Sequence, residues 1–159
     1  MTNLTRRVTL AGLLAAAASP LPALAPPKPR VLFICRFATV KSPTARELLR
    51  KRAKERGIAL DIRSRGITPV EHLSPQIRLR LIHEFGIDPA SEPPRKLGQR
   101  DLDRADVVVL FDHLPPSLQK AGTLDWTDQP SLLDQFDPSM AYLEAHIAAL
   151  LDQLAKPPA

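Results

Sequence analysis

Val31-Leu32-Phe33-Ile34-Cys35-Arg36-Phe37-Ala38-Thr39-Val40-Lys41-Ser42-Pro43-Thr44-Ala45-Arg46-Glu47-Leu48 is the stretch from which the rest of the chain is read. Its first four residues are apolar without alternation, the pattern of a strand buried on both faces. Ser42 is a good N-cap and Pro43 suits the first helical position, so a helix is predicted over 43–56, stopped by Gly57. Between strand and helix runs the loop from Cys35 to Ser42. So short a loop can turn several amides toward one point, and a helix N-terminus adds positive partial charge there. The result is an anion site with a thiol at its edge. The same field, reinforced by the Lys41 ammonium, favours the thiolate. A nucleophile beside a phosphate cradle implies attack on phosphorus or arsenic oxyanions.

Outward from that loop, strand and helix patterns alternate. Leu60 to Ser64 reads as a second strand, followed by Gly66. Ser74-Pro75 opens a second helix with Ile77, Leu81, Ile82 and Phe85 as its apolar stripe, and Gly86 ends it. A short helical piece around Asp101 to Arg104 leads into Val107-Val108-Val109-Leu110-Phe111, another strand. Leu132-Leu133 is read as a short last strand. Ser139 to Leu154 is the closing helix, with Leu143, Ile147, Leu150, Leu151 and Leu154 inward. The alternation predicts an α/β single-domain parallel sheet with helices on both faces. Ligands of such sheets bind beyond the C-terminal strand ends, which is where the Cys35 loop falls.

Composition narrows the partners. With 159 residues and 44% hydrophobic content the chain suits one folded domain and not a disordered one. The net charge is +5, of which Arg6 and Arg7 supply two, and the remaining basic residues are interspersed with acidic ones. With few aromatics at 4%, this reads as a solvated surface and not as a nucleic-acid footprint. A single cysteine excludes an internal disulfide and a Cys-rich zinc site. His72, His83, His113 and His146 show no ligand spacing, so neither a metal nor a cofactor is expected.

Residues 1–25 read as an address and not as fold. Thr5-Arg6-Arg7-Val8-Thr9-Leu10 precedes an Ala- and Leu-rich run, Val8 to Ala18, too short to span a bilayer. It resembles the twin-arginine export signal of bacteria, without that signal's Phe; an ordinary secretory signal holding two arginines is the alternative. Ala23-Leu24-Ala25 offers a cleavage site spoiled by Pro26, Ala16-Ala17-Ala18 offers another, and an uncleaved anchor is the third option. The divisions are an export signal at 1–25, a Pro-rich linker at 26–30, the domain at 31–154 and a tail at 155–159. The expected location is periplasmic or extracytoplasmic, with membrane contact only through the signal.

The chain from about Arg30 to Leu154 resembles low-molecular-weight protein tyrosine phosphatases and the related thiol-dependent arsenate reductases. Their signature is strand, Cys, five residues, Arg-Ser, helix, and residues 31–49 are similar to it. Ser64-Arg65-Gly66 resembles the family's Ser-Ala-Gly turn, Leu102 to Leu110 its Ala-Asp-strand segment, and Asp137-Pro138 its Asp-Pro. The resemblance implies Cys35 as nucleophile and Ser42 as its hydrogen-bond partner. It implies Asp137 as general acid, with Asp134 the spare if the match slips. Arg36, Phe37, Ala38, Thr39, Val40 and Lys41 would bind phosphate. Three positions depart from the family: Lys41 stands for its Arg, Phe37 for a Gly and Ala38 for an Asn. An ammonium offers a point charge where guanidinium offers a planar fork. Arg36 is a guess for the lost guanidinium. The implied substrate is phosphotyrosine, a small aryl phosphate or another oxyanion. The competing reading is a phosphatase fold that binds phosphate or a phosphoprotein without turnover. Arsenate reduction ranks last, because thioredoxin coupling needs further cysteines.

Overall fold

The computed structural model describes residues 27–156. The export signal, its cleavage sites and most of the tail lie outside those residues. Strands β1 (Arg30–Cys35), β2 (Asp61–Gly66), β3 (Val107–Leu110) and β4 (Leu124–Asp125) form one parallel sheet in the order β2-β1-β3-β4. The helices are α1 (Lys41–Glu55), α2 (Pro75–Arg80), α3 (Gln99–Arg104) and α4 (Phe136–Leu154).

The unalternated run 31–34 is apolar because both faces of β1 are covered. Val31 and Phe33 face a core built with Leu48 and Leu49 of α1 and Leu143, Ile147 and Leu151 of α4. Leu32 and Ile34 face a smaller cluster with Leu102 of α3, Leu97, Val108 and Leu110. Full burial of such a side chain is worth ~1.5–3 kcal/mol, which pins β1 at the centre of the sheet. β2 is different. Ile62 and Ser64 turn toward the larger core, whereas Asp61, Arg63 and Arg65 occupy the alternate positions.

Several sequence expectations need correction. The last strand is Leu124–Asp125, not Leu132-Leu133. Leu132 is buried in a turn, and Leu133 beside it is 62% exposed, so one apolar anchor imitated a strand. β2 runs Asp61–Gly66, because its pairing to β1 continues to Cys35 opposite Gly66. Ser42 does not cap α1: the cap position is Val40, and the Ser42 hydroxyl is turned to Cys35 instead. After α2 the chain makes a wider i→i+5 turn over Leu81–Phe85 before Gly86, at φ 66°, ends it. Leu81 is buried there, but Ile82 is 38% exposed and leaves the expected stripe. α4 starts at Phe136, three residues early, which carries Asp137 into its first turn.

Candidate active site

β1 delivers Cys35 to the C-terminal edge of the sheet, and after five intervening residues α1 begins at Lys41. The first three carbonyls of the turn are taken by the segment after β2. Ile67 donates its N–H to Cys35 O (3.1 Å), Thr68 to Arg36 O (2.7 Å) and Val70 to Phe37 O (3.1 Å). With the carbonyls fastened outward, the amides of Phe37, Thr39 and Val40 donate to no acceptor among the described residues. Unpaired amides next to a helix N-terminus are the makings of an oxyanion cradle.

The thiol sits at the base of this turn, only 5% exposed. Ala38 N–H donates to Cys35 Sγ at 3.2 Å, and Ser42 Oγ is 3.0 Å from the same sulfur. Reaching that geometry puts Ala38 at φ 55°, a left-handed conformation that costs a residue with a Cβ roughly 1–2 kcal/mol. The neighbour that permits it is Gly66. A Cβ there would stand 2.9 Å from Ala38 Cβ and 3.0 Å from the loop backbone, so no side chain fits. Arg36 N–H, the first amide of the turn, donates to Asp112 Oδ2 at 2.8 Å.

A cavity of about 240 Å³ opens above the sulfur. Arg36, Phe37, Thr39, Val40 and Lys41 line it with Cys35, while Ala38 and Ser42 contact the sulfur without lining the cavity. Lys41 does not stand free. Its Nζ donates to Gln129 O at 3.2 Å and so ties the helix start to the opposite wall. That wall is Ser131, Leu132 and Leu133, and with the half-exposed Phe37 it gives the mouth an apolar rim.

The expected acid is elsewhere. Asp137 does not line the cavity; its side chain is 80% exposed and accepts from Arg80 at 2.8 Å. The early start of α4 is the cause: Asp137 sits in an exposed first turn with a guanidinium within reach. Asp134 is exposed and also outside the cavity. Asp128, nearer the wall, accepts from the Tyr142 hydroxyl. Burial and that carboxylate push the Tyr142 phenol well above its ordinary value. Trp126 packs in the core against Phe33, Phe111 and His146. Among the described residues no cluster could hold a metal ion.

Asp112 is the residue that sequence reasoning missed. It stands just beyond β3, the neighbour of β1, and the rule that ligands gather at the C-terminal ends of adjacent parallel strands could have pointed to it. It is the carboxylate on the cavity wall.

The sequence model of the family described as low molecular weight phosphotyrosine protein phosphatase matches residues 30–149. No curated protein matches the chain. Among solved structures, a low-molecular-weight protein tyrosine phosphatase from T. tengcongensis is 22% identical with a TM-score of 0.62, over 79% of this chain and 99% of that one. A low-molecular-weight phosphotyrosine phosphatase from Vibrio cholerae O395 is 19% identical with a TM-score of 0.64, over 78% and 95%. A thioredoxin-dependent arsenate reductase from Corynebacterium glutamicum is 24% identical with a TM-score of 0.61, over 82% and 64%. At these identities the likeness is one of fold.

Proposed function

The chain belongs to the low-molecular-weight phosphotyrosine protein phosphatase family, and from that premise we propose that it is an exported cysteine-dependent phosphomonoesterase acting on phosphotyrosine or a small aryl phosphate. The observation that carries this reading is the turn itself: a thiol held by Ala38 N–H and Ser42, beneath amides with no other acceptor. The Cys35 thiolate attacks phosphorus in line, and the S–P bond forms as the P–O bond to the leaving group breaks. The amides of Phe37, Thr39 and Val40, with the Lys41 charge, hold the equatorial oxygens. We assign to Asp112 the proton given to the leaving oxygen and then taken from the water that attacks the phosphocysteine. That water forms a new P–O bond, the S–P bond breaks, and Ser42 donates to the departing thiolate. With Lys41 in place of a guanidinium fork, one fixed pair of donors is lost, which typically costs ~10²–10³ in rate.

Export, and with it a periplasmic location, rests on Thr5-Arg6-Arg7 and the apolar run Val8 to Ala18. Fractionation of cells producing the full chain, with Arg6→Lys/Arg7→Lys beside it, tests that part separately. Cytoplasmic retention of the wild type removes it.

A second reading is an oxyanion-binding module without turnover. Two observations favour it: Lys41 Nζ is engaged by Gln129 O, and Asp137 stands outside the cavity. Arsenate reduction ranks behind both, because with one cysteine in the chain an external thiol must resolve any intermediate. The deciding experiment is hydrolysis of p-nitrophenyl phosphate by the purified full chain beside Cys35→Ser. Hydrolysis lost in Cys35→Ser supports the enzyme. No hydrolysis, with vanadate still bound, selects the binding module.

A further inference from the structure

The charge that looks dispersed in the sequence is gathered by the fold. Two adjoining cavities, of about 170 and 300 Å³, share Asp61 and Arg63 along β2. Arg30, Arg100 and Arg104 line the first, and Arg50, Arg65 and Arg95 the second. With Arg63 that makes seven arginines, against the three carboxylates Asp61, Glu92 and Asp101. Asp106, which accepts the Arg30 backbone N–H, is the further carboxylate at this end. Glu47, which also pairs with Arg50, is another acidic neighbour, and the face still holds more arginines than carboxylates.

Not all of it is neutralised locally. Arg63 pairs with Asp61, Arg65 with Asp101 and Arg50 with Glu92. Arg95, Arg100 and Arg104 make no ion pair among the described residues, and the Arg30 guanidinium donates to Arg104 O, at 3.4 Å, and to no carboxylate. The cause is topological. α3 covers β1 and β3 on this side of the sheet, and the alternate residues of β2 are charged instead of apolar: Arg65 is buried in its pair with Asp101 of α3, and Arg63 is exposed. No aromatic side chain lines either cavity, so the face lacks the stacking platforms of a single-stranded nucleic-acid site.

We propose that this arginine face, formed by β2, α3 and the start of β1, docks onto an anionic lipid surface. Charge complementarity gives the chemistry, and the path of the chain gives the occupant. Arg30, on the face, is the first residue of β1, directly after the Pro-rich stretch and the apolar run flanked by Arg6 and Arg7. A leader that engages a membrane is thus joined to the domain at this face, through Arg30. Cys35 is at the other end of the same strand, roughly 16 Å further on at ~3.3 Å per residue, and opens away from the lipid. Each arginine at such a surface contributes on the order of fivefold in affinity, screened within a Debye length.

The test is sedimentation of the full chain with phosphatidylcholine vesicles and with vesicles containing phosphatidylglycerol, at about 0.1 and 0.5 M salt. The ratio of the two affinities removes whatever the apolar leader contributes to both. The wild type is expected to favour phosphatidylglycerol at least tenfold at low salt, and Arg100→Glu/Arg104→Glu to lose that preference. Arg78→Glu/Lys96→Glu, an equal change of net charge on exposed residues that line neither cavity, is expected to keep it. Circular dichroism confirms that each variant is folded. Equal binding to both vesicles overturns the proposal, and so does equal loss in the two double variants. Binding of heparin or inorganic phosphate without a vesicle preference also overturns it and reassigns the face to soluble polyanions.

Discussion

The two walls of the Cys35 cavity obey different rules. The loop wall is made by backbone: three carbonyls fastened to residues 67–70, one amide to Asp112, one to sulfur, and a glycine that leaves room for the turn. Phe37 and Ala38 carry side chains in that turn, and it still closes on the thiol. The opposite wall is made by side chains from Ser131 to Leu133, which form an apolar rim and offer no carboxylate, so any proton transfer at the cavity falls to Asp112. A cradle of amides tolerates sequence change that a proton-transfer group does not. Binding an oxyanion and turning it over can therefore be lost separately.

The largest effect that separates the walls concerns the acid. Asp112→Asn keeps an oxygen for Arg36 N–H but gives up the transferable proton. Hydrolysis of phenyl phosphate, with its poor leaving group, is expected to fall ~10²-fold or more while vanadate affinity stays within about threefold. Asp137→Asn should leave both unchanged. A loss at Asp137 and none at Asp112 would restore the family's acid and mean that the wall moves on binding substrate.

Next comes the loop's own support. Gly66→Ala forces a Cβ into Ala38 and the loop backbone, and displacing a cradle by a fraction of an ångström typically costs about 10²-fold. Here hydrolysis and vanadate binding should fall together, the opposite of the Asp112 pattern. Unchanged vanadate affinity in a folded Gly66→Ala would show that the amides are not the binding group.

Lys41→Arg is expected to raise turnover about tenfold, since a planar fork can bind two oxygens. The gain requires the side chain to leave Gln129 O. No gain, with hydrolysis still at background, favours the binding module. Smallest is Ala38→Gly, which removes the left-handed strain at φ 55° and should stabilise the fold by no more than about 1 kcal/mol, read by denaturant titration.

What the sequence disclosed follows the same division. β1 and β3 were legible because both faces are buried, and so was the approach of a helix to Cys35, although α1 begins at Lys41, ahead of the Ser42-Pro43 pair that signalled it. The direction of Asp137 was not. Asp-Pro names a pair of residues, but the helix starting three residues early, with Arg80 beside it, decides where the carboxylate goes. Leu132-Leu133 misled because two adjacent leucines do not say whether one or both are buried. The arginine face was invisible, since its members are spread from Arg30 to Arg104 and only the pairing of β2 to β1 brings them together.

The fastening of the loop to residues 67–70 also sets when the thiol becomes shielded. Cys35 pairs with Gly66 across a parallel ladder, and such non-local pairing forms late in folding. Until it forms, the sulfur is open to any alkylating reagent; afterwards it is 5% exposed. As the chain has one cysteine, its labelling rate is a clock for a single event, the opening and closing of the β1–β2 junction. An oxyanion that binds the closed turn should slow that clock in proportion to its occupancy, whether or not it is ever hydrolysed.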